Sequence, residues 1–121
     1  MTPYQIVRSD PTEFMTSERC WIVESWNDGS DTHVSVARAR VEPGVTTQLH
    51  RLRGVVERYL VLSGTGLAKI GDGDPTRVGP STVVLIPEGT KQQITNDGAT
   101  DLIFYAICTP RFTVECYESL E

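Results

Sequence analysis

The sequence predicts an all-β fold, a sandwich or a barrel. Short β-rich runs recur about every ten residues, turn signals punctuate them, and helical periodicity is almost absent.

The first residues, MTPYQIVRSDPTEF, hold no apolar signal core and already carry Arg8, Asp10 and Glu13. Helix is expected only in DPTEFMTS and near the acidic C-terminal VECYESLE. CWIVESW (20–26) ends at NDGSD, and HVSVARARV (33–41) ends at EPG. ERYLVLSG (57–64) turns at SGTG into GLAKIG (66–71), which runs into DGDPT. STVVLIP (81–87) ends at EGT, KQQITN (91–96) at DGAT, and DLIFYAIC (101–108) shortly before Pro110. Asp-Gly pairs at 28–29, 72–73 and 97–98 are each a hairpin-turn signal. VVLI and LIFYAI are apolar on both faces. One face would fill the interior, and the other needs a second sheet or a partner subunit, so a homodimer is expected.

The bulk numbers bound the rest. A chain of 121 residues with 39% hydrophobic content makes one domain, 1–121, with a core barrel over about 33–110, N-terminal strands or an extension ahead of it, and a short acidic C-terminal tail. A net charge of −5 offers no general attraction to nucleic acid or to an anionic membrane surface. No run approaches the length of a membrane span. Three cysteines, Cys20, Cys108 and Cys116, are odd in number and irregular in spacing, which argues against a disulfide framework. A cytoplasmic setting is the expectation.

Two segments carry a family resemblance. Residues 44–64 read Gly44, five residues, His50, one residue, Leu52, four residues, Glu57, six residues, Gly64. Residues 81–96 read Ser81, five residues, Pro87, one residue, Gly89, two residues, Gln92, three residues, Asn96. The first resembles the first cupin motif except that Leu52 replaces its second histidine. The second resembles the second cupin motif, with serine for the first glycine and Gln92 for the histidine. The resemblance implies a double-stranded β-helix, or jelly-roll barrel, of the cupin type, often dimeric, with its pocket inside the barrel mouth. It does not choose among dioxygenases, decarboxylases, isomerases, lyases and binders.

In metal-binding cupins the motifs supply three histidines and a glutamate. Carried over residue by residue, the resemblance leaves His50, Glu57 and Gln92 as candidate ligands of one divalent metal ion. That is one imidazole, one carboxylate and one neutral amide, one nitrogen short of a two-histidine, one-carboxylate triad. The alternative is a metal-free pocket in which Leu52 adds apolar wall.

The remaining candidates follow from strand phase. Glu57, Tyr59 and Val61 share a face, so Glu57 is an inward carboxylate and Tyr59 a candidate proton shuttle beside it. Such a carboxylate needs a cation, a donor network or a raised pKa. Arg58 should point the opposite way. Arg51 and Arg53 flank Leu52 at the barrel mouth, where they could hold an anionic substrate. His33 matches no ligand position, and Cys108 reads as a small buried hydrophobe or a pocket-facing thiol. Three functions stay open: a small-molecule-binding module, a metal-dependent enzyme acting on a small anionic substrate, and metal-free acid–base catalysis by Glu57 and His50.

Overall fold

The computed structural model describes residues 4–121. Among them, two antiparallel sheets face one another and no α-helix is present. The larger sheet is ordered β1 (Phe14–Met15), β2 (Trp21–Trp26), β3 (Ser35–Val41), β10 (Leu102–Thr109), β5 (Val56–Ser63) and β8 (Val83–Ile86). The smaller is ordered β11 (Tyr117–Ser119), β4 (His50–Leu52), β9 (Gln92–Thr95), β6 (Gly66–Ile70) and β7 (Thr76–Val78). This is the jelly-roll arrangement expected from the motifs.

Side-chain alternation decides what fills the space between the sheets. On β5, Glu57, Tyr59 and Val61 are buried, while Arg58 and Leu62 lie on the other face. The registers align inward residues in rows across the larger sheet. One row is Ile22, Ala39, Phe104 and Val61; the next is Glu24, Ala37, Ala106 and Tyr59; a third is Ser35, Cys108 and Glu57. Toward one end the side chains are large and packed, with Val41, Val61, Ile94 and Leu102 each at most 2% exposed. Toward the other they shrink to Ala37, Ser35 and Ala106, and the interior hollows out.

The motif residues hold the corners. Gly64, at φ +80°, joins β5 to β6 so tightly that a Cβ there would meet the Asp101 carbonyl oxygen at 2.3 Å. Ser81 stands where the motif has glycine and adopts the same left-handed conformation, φ 72°. A side chain there costs roughly 1 kcal/mol relative to glycine. Buried Asn96 donates to the carbonyls of Val41 and Thr100, both at 2.8 Å, and accepts from the Gly98 amide at 2.9 Å.

Several expectations are corrected. Neither expected helix forms. The N-terminal segment makes β1, because Glu13 is drawn sideways into a two-pronged bond with Arg40 at 2.8 and 2.9 Å and the chain pairs with β2. The C-terminal segment makes one 3-10 turn, Val114–Cys116, then β11, which pairs with β4. Asp97-Gly98 is a corner between sheets, not a hairpin, whereas Asp72-Gly73 does close the β6–β7 hairpin. Strands β1, β4, β7 and β11 went unforeseen; with two or three residues each, they are too short to show a period. On the outer face, Leu62, Val83 and Leu85 are exposed, at 41%, 61% and 59%.

Candidate functional site

The hollow end encloses a cavity of about 400 Å³. Its floor is buried: Tyr59 and Glu57 from β5, Cys108 and Phe104 from β10, Ser35 and Ala39 from β3, and Cys20 and Thr47. Exposed Phe14, Ser17, Glu24 and Val114 form its rim. The room exists because the row that brings Tyr59 and Glu24 to the wall places only alanine, Ala37 and Ala106, between them.

Glu57 is 7% exposed, and its two oxygens differ. Oε2 accepts a weak bond from the Cys108 thiol at 3.6 Å, while Oε1 has no hydrogen-bond partner. Burial, helped by the charge of Glu18, pushes its pKa up to about 7; the nearby Gln92 amide, which makes no well-formed hydrogen bond to it, and Cys108 partly offset this. The second acid, Glu18, comes from the turn between β1 and β2 and also lines the cavity. Burial raises its pKa too, and nearby His50 pulls it back. The Cys20 thiol stands 4.0 Å from its Oε2. Each carboxylate therefore has a thiol behind it. Burial holds both thiols protonated, Cys20 at about 12, which removes them as nucleophiles.

The turn that carries Glu18 is fastened from two sides. Arg19, at φ 71°, forks onto Glu121 at 2.8 and 3.1 Å, and its Nε donates to the Thr46 carbonyl at 2.9 Å. The Glu18 carbonyl itself accepts the Gln48 amide at 3.0 Å.

The candidate metal ligands are brought to one region of the barrel. His50 and Gln92 sit opposite one another on β4 and β9. The His50 Nδ1–H donates to the Gln48 carbonyl at 2.7 Å, and the ring stacks on Tyr117 at 4.8 Å. The Gln92 Oε1, its only ligating atom, accepts the Tyr59 hydroxyl, and its Nε2 lacks a partner. Of the three, Glu57 alone lines the cavity. Among the described residues, no three His, Cys, Asp or Glu side chains come together as a metal-binding set. One imidazole, one carboxylate and an amide oxygen already engaged do not fit a resident divalent ion.

Leu52 does not wall the cavity as expected. It packs in a separate cluster with Val55, Cys108 and Cys116. Arg51 and Arg53, the candidates for an anionic substrate, are both engaged by Glu118, at 3.0 and 3.5 Å, and neither lines the cavity. Arg58 points outward as expected and donates to Thr109 at 2.7 Å. His33 lies in an exposed bend ahead of β3. Cys108 is buried and does face the pocket. Sequence reasoning missed Glu18, Glu24 and Tyr117. The available cue for Glu18 was faint, an acid among hydroxyl residues in TSERC, just ahead of the first long strand.

Comparison with known proteins agrees with this architecture. No curated protein matches the chain. A variant of Streptomyces PAC13 solved with uridine superposes with a TM-score of 0.79 at 17% identity, over 99% of this chain and 92% of that one. Pac13, there called a unique nucleoside dehydratase, gives 0.79 at 15% identity over 97% and 92%. A predicted oxalate decarboxylase from Thermotoga maritima gives 0.75 at 23% identity, over 88% and 99%. Among the described residues, no helix is long and apolar enough to cross a membrane. The cupin domain model matches residues 37–108, more than half the chain, and with the motifs and the jelly roll already in place the chain belongs to the cupin family.

Proposed function

We propose that the barrel binds a small organic molecule and moves protons on it through Glu57 and Glu18, without a resident metal. The carrying observation is Glu57: a carboxylate on the cavity wall, buried, with Oε1 unpartnered. Leaving such a group in an apolar interior costs several kcal/mol in general, so its retention favours a chemical role over a structural one.

The charge of Glu18 raises the proton affinity of Glu57, and acids coupled in this way titrate as a pair. One then holds a proton while the other is ionised, which places an acid and a base at one cavity near neutral pH. Glu57 takes a proton from a substrate carbon, and the electrons of that C–H bond move into the adjacent bond. The protonated partner returns a proton, either to a departing oxygen, giving elimination, or to another carbon, giving isomerisation. Tyr59, whose pKa burial raises far above its ordinary value, stays protonated. Its part is to hold Gln92 beside the acid rather than to act as a base. His50, fixed by Gln48 and Tyr117, supports Glu18 from behind. The likeness to a nucleoside dehydratase is compatible with this, since dehydration needs an acid and a base across one cavity.

The test is thermal-shift screening of small polar metabolites, followed by NMR of each hit in D2O with and without chelator. The wild type should exchange a substrate proton for deuterium at a rate unaffected by chelator, and Glu57→Gln should slow that exchange roughly 10²–10⁴-fold. Exchange abolished by chelator and restored by a divalent ion would return the metal reading. Equal rates in wild type and Glu57→Gln would remove Glu57 from the chemistry.

A further inference from the structure

The charge lining the cavity is one-sided. Glu18, Glu24 and Glu57 contribute to the wall, and among the described residues no lysine or arginine does. The arginines nearest in sequence are held elsewhere: Arg19 on Glu121, Arg51 and Arg53 on Glu118, Arg58 on Thr109. His50, the basic group beside Glu18, does not line the cavity. The rest of the wall is neutral and mostly apolar or aromatic, with Phe14, Ile22, Phe104, Phe112 and Tyr117 among its residues and Thr16, Ser17, Ser35 and Thr47 as hydroxyl residues between them.

We propose that the ligand is a small organic ammonium ion, its charged nitrogen against Glu18 and Glu57 and its apolar body against the aromatic wall. This rests on the cavity being a small-molecule site, as above, and adds the class of molecule. Two observations of different kinds converge on it. The acidic lining sets the sign of the charge that is attracted. The unpartnered Oε1 of Glu57 leaves an acceptor that ammonium hydrogens can satisfy and a carboxylate ligand cannot. Aromatic rings add their negative faces to the same preference. An anion entering this cavity would meet like charge and no fork to receive it, which reverses the charge expected from Arg51 and Arg53. Glu24 at the rim lies on the path inward and attracts the same sign.

The experiment is calorimetric titration of the wild type with matched series: primary ammonium ions from propyl- to phenethylammonium, each beside its alcohol and its carboxylate analogue. The ammonium member should bind at least tenfold more tightly than the alcohol at one or more lengths, and the carboxylates should not bind. Glu57→Gln and Glu18→Gln should each reduce the preference for ammonium over alcohol about tenfold or more. The wild-type series is decisive alone if either variant fails to fold. If no ammonium ion binds more tightly than its alcohol, the ligand class is wrong. Tight binding of an alcohol or a carboxylate in that case leaves the small-molecule site standing with another ligand, so the two failures are told apart.

Discussion

On β5, Tyr59 and Val61 are neighbours on one face, yet they belong to different regions of the interior. Around Val61 the opposing positions are Phe104 and Ala39, and the packing continues solid through Val41, Ile94 and Leu102. Around Tyr59 they are Ala106 and Ala37, and the space beyond is open. The backbone is the same ladder at both ends, so side-chain volume in two adjacent rows separates a core from a site. The closed end stabilises the fold. The open end carries buried Glu57 and half-buried Glu18, a burden that the closed end must offset.

Breaking the closed end should give the largest effect. Leu102 is 0% exposed, and Leu102→Ala should cost roughly 3 kcal/mol by denaturant unfolding while ligand binding survives. Its counterpart is Ala106→Leu, which fills the cavity: stability should change by less than about 1 kcal/mol, and ligand binding should be lost. A cost of more than about 2 kcal/mol for Ala106→Leu would mean that the space is already packed.

A second contrast is with pH. The Glu57 carboxyl is raised from 4.5 to about 7, so the folded state holds this proton more tightly than the unfolded chain. Stability from this group is therefore full below about pH 4.5 and lost as pH rises toward 7. At 1.36 kcal/mol per unit the loss is of order 3 kcal/mol. Subtracting the profile of Glu57→Gln from that of the wild type isolates the slope. A flat difference between pH 4.5 and 7 would mean that Glu57 is solvated and the open end is not apolar.

The smallest expected effect concerns a corner. Ser81→Gly should stabilise by about 1 kcal/mol, since glycine takes φ 72° without strain. No gain would mean that the Ser81 side chain contributes something that offsets its backbone cost.

Much of this was legible in the chain. The spacing of Gly44, Gly64, Gly89 and Asn96 records backbone corners that few other residues satisfy, so the fold could be read from them. Period-two alternation placed Glu57, Tyr59 and Val61 on one inward face. The site was legible only in part, because spacing reports which residues share a strand and not which loops fold over it. Glu18 lies on a turn whose aim depends on Arg19 reaching Glu121, a pairing 102 positions apart. The roles of Arg51 and Arg53 stay open in the sequence for the same reason: their partner, Glu118, belongs to a strand too short to be read. Leu52 reads as part of a loop but lies on β4, another strand too short to be read, and the cluster it joins includes Cys116 of the C-terminal turn.

The origin of Glu18 has a consequence for inheritance. The stretch that defines the family runs from 37 to 108 and contains Glu57, whereas Glu18 lies outside it. A relative sharing the whole barrel but lacking an acid in that N-terminal turn would keep the shape and one carboxylate and lose the pair. The barrel and the second acid thus sit on separable parts of the chain, the one inside the family's stretch and the other on the hairpin ahead of it.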